Sequence, residues 1–175
     1  PKEGAVVLVC NHVSYIDWLI IMGLCPRPAR FVMHYRLFDI PVLKWLMIQA
    51  RVIPILGAKE DPAMLQRALD LGSDEIRNEG VVCIFPEGSL TWDGDMIPFR
   101  TGVIKMIERN PAPVVPMALN GLWGSMFSRF GGKAFSHGPR KFRSPISLDV
   151  SQPIAPENVE LESLQNSVQA MITTK

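Results

Sequence analysis

Ala5-Val6-Val7-Leu8-Val9-Cys10-Asn11-His12-Val13-Ser14-Tyr15-Ile16-Asp17 is the stretch whose reading decides the fold. Its valine-rich apolar start has no alternating polar partner, which predicts a strand buried on both faces. Asn11 to Ser14 is a polar break. Ile16 to Leu24 then predicts a short apolar helix, closed by Cys25-Pro26-Arg27-Pro28 because proline cannot continue one. A doubly buried strand feeding a helix is the repeating unit of a parallel sheet.

The same alternation continues outward. Val81 to Phe85 and Val114 to Leu119 are further continuous apolar strands, and Ala29 to Met33, Arg51 to Leu56 and Ile146 to Val150 are shorter ones. Asp61-Pro62 supplies an N-cap and a first-turn proline to a helix running to about Asn78. Thr101 to Arg109 predicts another helix, and Leu161, Leu164, Val168 and Ile172 mark a last amphipathic one. The expectation is an α/β domain with a mostly parallel sheet flanked by helices. The helix expected over Pro41 to Gln49 is apolar on nearly every side except Lys44 and Gln49, so it is either buried or faces lipid, and burial is the commoner outcome. Trp18, Trp45, Trp92 and Trp123 read as core residues, with lining of a ligand pocket the alternative for Trp92.

Composition narrows the class. At 175 residues the chain fits one domain with a sizeable core. It reads as a single domain, 1–175, cut from a longer protein, because a strand-like run begins almost at once after Pro1. Lys plus Arg is 18 and Asp plus Glu is 17, a balance that argues against broad nucleic-acid binding. Arg129, Lys133, Arg140, Lys141 and Arg143 nevertheless cluster, either as a solvated loop or as a surface for anionic headgroups. The three cysteines, Cys10, Cys25 and Cys83, fit neither a disulfide framework nor a zinc pattern. No apolar run reaches the roughly 18 residues of a membrane span.

In a parallel sheet the ligand crevice lies beyond the carboxyl ends of the strands. His12 and Asp17 fall there, across the start of a helix, where the carboxylate can fix the imidazole tautomer and leave its other nitrogen as a base. Phe85-Pro86-Glu87-Gly88-Ser89 falls at a second strand end. Gly88 allows backbone amides to approach a ligand and hold an oxyanion, while Glu87 can bind an acceptor or brace the loop. Alone, either segment also reads as an ordinary helix start or β-turn. Asp93 and Asp95 read as a solvated turn rather than a metal loop, and no metal site is expected; His34 and His137 read as structural or surface residues.

Asn11-His12-x-x-x-x-Asp17, then Phe85-Pro86-Glu87-Gly88-Ser89, then Val115-Pro116-Met117-Ala118-Leu119, resembles the glycerolipid acyltransferase family over about residues 5 to 125. The resemblance implies catalysis by His12 and Asp17 and oxyanion or acceptor binding by Glu87, Gly88 and Ser89. It also implies a thioester donor (acyl-CoA or acyl-carrier protein) as co-substrate, no cofactor, no metal and a lyso-lipid acceptor. A place on the cytoplasmic face of a membrane follows from the same resemblance. The Gly121–Ser125 run resembles forms of this domain fused to a transporter. Two departures concern the acceptor. Leu90 stands where the family often has an arginine for the acceptor phosphate, and the run from Arg51 to Lys59 lacks a clear equivalent of another. Arg51, Lys59 or Arg100 are the candidate replacements, and a capped headgroup such as ethanolamine is expected to suit the site at least as well as a phosphomonoester. Two other readings stay open: a thioester or lipid hydrolase using Ser14 or Ser89, and an inactive lipid-binding domain.

Overall fold

The computed structural model describes residues 1–39, 41–132 and 145–173. In chain order the elements are β1 (Val6–Cys10), α1 (Asp17–Leu24), β2 (Ala29–His34), a 3-10 turn (Tyr35–Asp39), α2 (Pro41–Gln49), β3 (Ile53–Ile55) and α3 (Pro62–Arg77). They continue with β4 (Val81–Ile84), α4 (Gly102–Arg109), β5 (Val114–Asn120), β6 (Ser147–Val150), a short 3-10 turn and α5 (Leu161–Met171).

The strands form one sheet in the order β3-β2-β4-β1-β5-β6. The first five run parallel, and β6 alone pairs antiparallel, against β5. β1 lies between β4 and β5, with Leu8 level with Cys83 on one side and Val115 on the other. Every residue of β1, β4 and β5 is buried, as a strand covered by helices on both faces must be. The α/β expectation therefore holds.

Each face of the sheet has its own apolar layer. One packs Leu8, Cys10, Phe31 and Met117 against Trp18 and Ile21 of α1 and Met47 of α2. The other packs Val7, Val9, Val82 and Val114 against α3, α4 and α5 through Leu69, Met106 and Leu164. α3 starts as its sequence predicts: Asp61 accepts a hydrogen bond from the Met64 amide at 2.9 Å, with proline at its first position.

Two packing expectations fail. Trp45 is 65 % exposed and Trp92 72 % exposed, so neither is core. α2 buries only one stripe, around Met47, and leaves Trp45 and Ile48 uncovered. An apolar helix on the outside of a one-helix-thick layer has no second layer to bury its far side.

Candidate active site

β1 and β4 end side by side and deliver His12 and Glu87 to the same crevice. His12 Nδ1 lies 2.8 Å from Asp17 Oδ2. Asp17 is fully buried, while the imidazole keeps about a fifth of its surface exposed. The local sequence folds back on itself to make this pair. The amides of Val13 and Ser14 donate to Asp17 Oδ2 at 2.8 and 2.9 Å, and Ser14 Oγ donates to Oδ1. A carboxylate holding several donors in this way is fixed in place before any substrate arrives. With Nδ1 bound to Asp17, Nε2 is the nitrogen left for chemistry. The ring also stacks on Phe85, with centroids 4.4 Å apart and planes at 21°.

Glu87 is 1 % exposed and braces two segments at once. Oε1 accepts the His12 amide at 2.6 Å and Oε2 accepts the Ile97 amide at 2.7 Å. Burial pushes its carboxyl up to about 7, while the two amides and His12 pull the other way. Gly88 adopts φ +71°, which glycine tolerates without strain. Its own N–H donates to Phe85 O at 3.0 Å and closes a turn, so it is not free to hold an oxyanion. The glycine is needed for another reason: a Cβ there would stand 2.8 Å from Arg100 Nε. Ser89, partly exposed, follows on the same loop.

Of the three candidate cations, Arg100 is the one brought to the motif, packed over Gly88 with its amide bonded to Pro86 O at 2.9 Å. Arg51 precedes β3, at the amino end of the edge strand, and lies 3.9 Å from Glu75. Lys59 sits on the exposed turn after β3, at the dyad's end of the sheet but with β2 and β4 between it and β1. Leu90 is 4 % exposed and packs inward, so it does not present an apolar surface to a ligand. Its carbonyl accepts from Arg129, whose guanidinium lies 4.2 Å from the Trp92 ring centre. Lys133, His137, Arg140, Lys141 and Arg143 lie outside the described residues. Asp93 orders the intervening turn through Thr91 Oγ1 and the Asp95 amide.

Some positioning residues were invisible as such in the sequence. Asn11, buried, donates to Leu119 O at 3.1 Å and accepts the Leu119 amide at 2.7 Å, clamping the ends of β1 and β5 together. Its place next to His12 in the motif was the available signal. Asn120 ties Asp149 of β6, Met171 O and the Thr173 amide to the end of β5. These clamps frame a cavity of about 390 Å³ beside Glu87, lined by Val13, Met96, Leu119, Trp123 and Ile172 among others. Trp123 is a tryptophan on this cavity. Among the described residues, no Lys or Arg lines it.

A family profile described as Acyltransferase matches residues 1–120. A chloroplastic 1-acyl-sn-glycerol-3-phosphate acyltransferase of Brassica napus is 30 % identical over 117 residues, covering 66 % of this chain and 33 % of that protein. The human 1-acyl-sn-glycerol-3-phosphate acyltransferase beta is 29 % identical over 124 residues, covering 71 % and 42 %. The chain thus spans between a third and a half of the length of these relatives. Among solved structures, the 1-acyl-sn-glycerophosphate acyltransferase PlsC of Thermotoga maritima superposes with a TM-score of 0.68 at 21 % identity, over 97 % of this chain and 64 % of that one. At that identity the likeness concerns the fold.

Proposed function

The chain belongs to the acyltransferase family, and from that premise we propose that it moves a fatty acyl group from a thioester to the hydroxyl of a lysophospholipid. The observation that carries this reading is the fixed dyad: His12 bonded at 2.8 Å to a fully buried Asp17, with its ring still partly open to the crevice. His12 Nε2 takes the acceptor's hydroxyl proton as that oxygen attacks the thioester carbonyl carbon. The tetrahedral intermediate collapses with cleavage of the C–S bond, and the leaving sulfur takes the proton back from the imidazolium. An ester and a free thiol result, and the histidine is restored. Asp17 holds the tautomer and steadies the imidazolium, without itself taking the proton. With the Gly88 amide spent on its turn, the Ser89 amide is the loop's candidate donor to the oxyanion.

The acceptor phosphate pairs with Arg100 in this reading, since that guanidinium lies against the Gly88 loop. One guanidinium and a buried Leu90 suit a singly charged phosphodiester at least as well as a dianionic phosphomonoester. The donor is acyl-CoA or acyl-carrier protein, and the surface on which the enzyme meets its acceptor is a membrane. The hydrolase alternative loses one of its candidate nucleophiles, because Ser14 Oγ is fully buried and gives its hydrogen to Asp17 rather than to His12.

The test uses a labelled acyl donor with a panel of lyso-lipids, followed by intact-protein mass spectrometry. Direct attack leaves no acylated protein at any time point. Lysophosphatidylethanolamine should match or exceed lysophosphatidic acid in kcat/KM. A covalent acyl-enzyme would replace this mechanism with a nucleophilic one, and a tenfold preference for lysophosphatidic acid would overturn the acceptor assignment.

A further inference from the structure

Arg129 stands outside the three motifs. Arg30, Arg36, Arg51, Arg77 and Arg109 each lie against a carboxylate. Arg129 has no such partner among the described residues. Its guanidinium donates to Leu90 O at 3.3 Å and lies over the Trp92 ring, 4.2 Å from the centre. Both contacts fall on the loop after β4. Between them is Thr91, whose amide donates to His12 O at 3.2 Å. Glu87, on the same loop, accepts the His12 amide. The loop thus grips His12 at both ends of its backbone, and Arg129 grips the loop. A guanidinium suits this task, because its plane stacks on an indole face while an N–H reaches a carbonyl. The same stack gives the largely exposed Trp92 a partner.

The backbone that carries Arg129 is anchored beside the dyad as well. In the stretch after β5, Ser128 pairs with Ser14 as an isolated antiparallel bridge, and Phe127 O accepts the Tyr15 amide at 3.0 Å. The buried Ser128 side chain accepts the Gly124 amide at 3.1 Å and donates to Ser125 O at 2.9 Å. Phe130 meets Trp123 edge to face. That stretch is therefore held in shape without the Arg129 side chain. Contacts followed from residue to residue close a circuit around the site. It runs from His12 to Thr91, from Leu90 to Arg129, from Ser128 to Ser14, from Ser14 to Asp17, and from Asp17 back to His12. We infer that Arg129 is a positioning residue for acyl transfer: by tying the loop after β5 to the loop after β4, it holds the His12 imidazole where the acceptor hydroxyl must meet it. Arg129 closes the circuit with one partly exposed side chain, so a substitution there opens it without disturbing the sheet.

This inference rests on the proposed role of His12 as the base, so one arm of its test omits the reaction. In hydrogen exchange of the 175-residue chain, the Thr91 amide of Arg129→Gln should exchange about tenfold faster than in wild type or more, while the amides of β1 keep their protection. In steady-state transfer the same variant should lose roughly 10- to 100-fold in kcat, the cost of a catalytic group displaced by up to about an ångström. Its KM for donor and for acceptor should each stay within about twofold. Arg129→Lys keeps a donor for Leu90 O but not the planar stack, so it should fall between wild type and Arg129→Gln. Arg109→Gln, which removes an arginine bonded to Asp70, should match wild type in both arms. Trp92→Ala combined with Arg129→Gln should cost no more than Arg129→Gln alone, because both break one link. An unchanged Thr91 amide, additive losses in the double variant, or lost protection across β1 overturns the inference. So does a several-fold rise in KM for either substrate at unchanged kcat, since Arg129 would then bind substrate. If wild type transfers no acyl group, the proposed reaction fails, and the exchange arm alone decides whether Arg129 holds the loop.

Discussion

At Asp17 a single residue does two structural tasks, holding the chain's fold-back through Val13 and Ser14 and holding the His12 ring. Asp17→Asn replaces one acceptor oxygen with a donor that faces groups already donating. The tautomer of His12 is then no longer fixed, and kcat should fall on the order of 10²–10⁴-fold in steady-state kinetics. A variant that keeps more than a tenth of the wild-type kcat would mean that His12 does not depend on this carboxylate. Glu87 poses the same question with a pH signature. Its ordinary value of 4.5 is raised to about 7 in the folded chain. The folded state therefore keeps a proton that the unfolded state releases, and this group's contribution is fully present below about pH 4.5 and lost as pH rises through 7. Glu87→Gln removes that titration and turns a donor toward the His12 or Ile97 amide, costing about 1–3 kcal/mol. The stability gap between wild type and variant, followed by thermal melts, should be widest near pH 5 and narrow by pH 8. A gap that widens with pH would mean the brace prefers the ionised carboxylate.

Elements of this domain were legible wherever an apolar run or a helix cap was local. β1, β4 and β5 announce themselves by unbroken apolar stretches, and α3 by Asp61-Pro62. The loop after β4 was legible only in part. Its glycine could be read as a position of special backbone, but not that its amide closes onto Phe85, because a motif does not state which groups its backbone bonds. Nor could the contact with Arg100 be read, since that depends on how residues 96–100 cross the strand end. Gly88→Ala tests the observed arrangement. The left-handed conformation costs a residue with a Cβ roughly 1–2 kcal/mol, and the added carbon displaces the guanidinium. The KM for the acceptor should rise several-fold while that for the acyl donor stays within twofold. An unchanged acceptor KM would remove Arg100 from the acceptor site. Asn11 shows the same limit of local reading: its partner, Leu119, is 108 residues away.

Across the whole molecule, periodicity predicted an α/β domain but not its strand order. Parallel strands are brought together by crossovers, and nothing within β2 states that β4, rather than β1, lies beside it. The exposure of Trp45 and Trp92 was missed for a related reason: hydropathy ranks a tryptophan by its own surface, whereas burial depends on whether another layer covers it. The dyad was legible because His12 and Asp17 are five positions apart and one helix start brings them together. The central claim is that this dyad makes the chain a transferase by direct attack. The most direct measurement is kcat/KM for acyl transfer from a labelled thioester to a lyso-lipid, for the 175-residue chain and its His12→Ala variant. Wild type should form labelled diacyl lipid, and His12→Ala should retain less than a few per cent of that rate with an unchanged circular dichroism spectrum, because only the base is removed. Transfer by His12→Ala above that level, or thioester consumption by wild type with no lipid product from any acceptor, would contradict it.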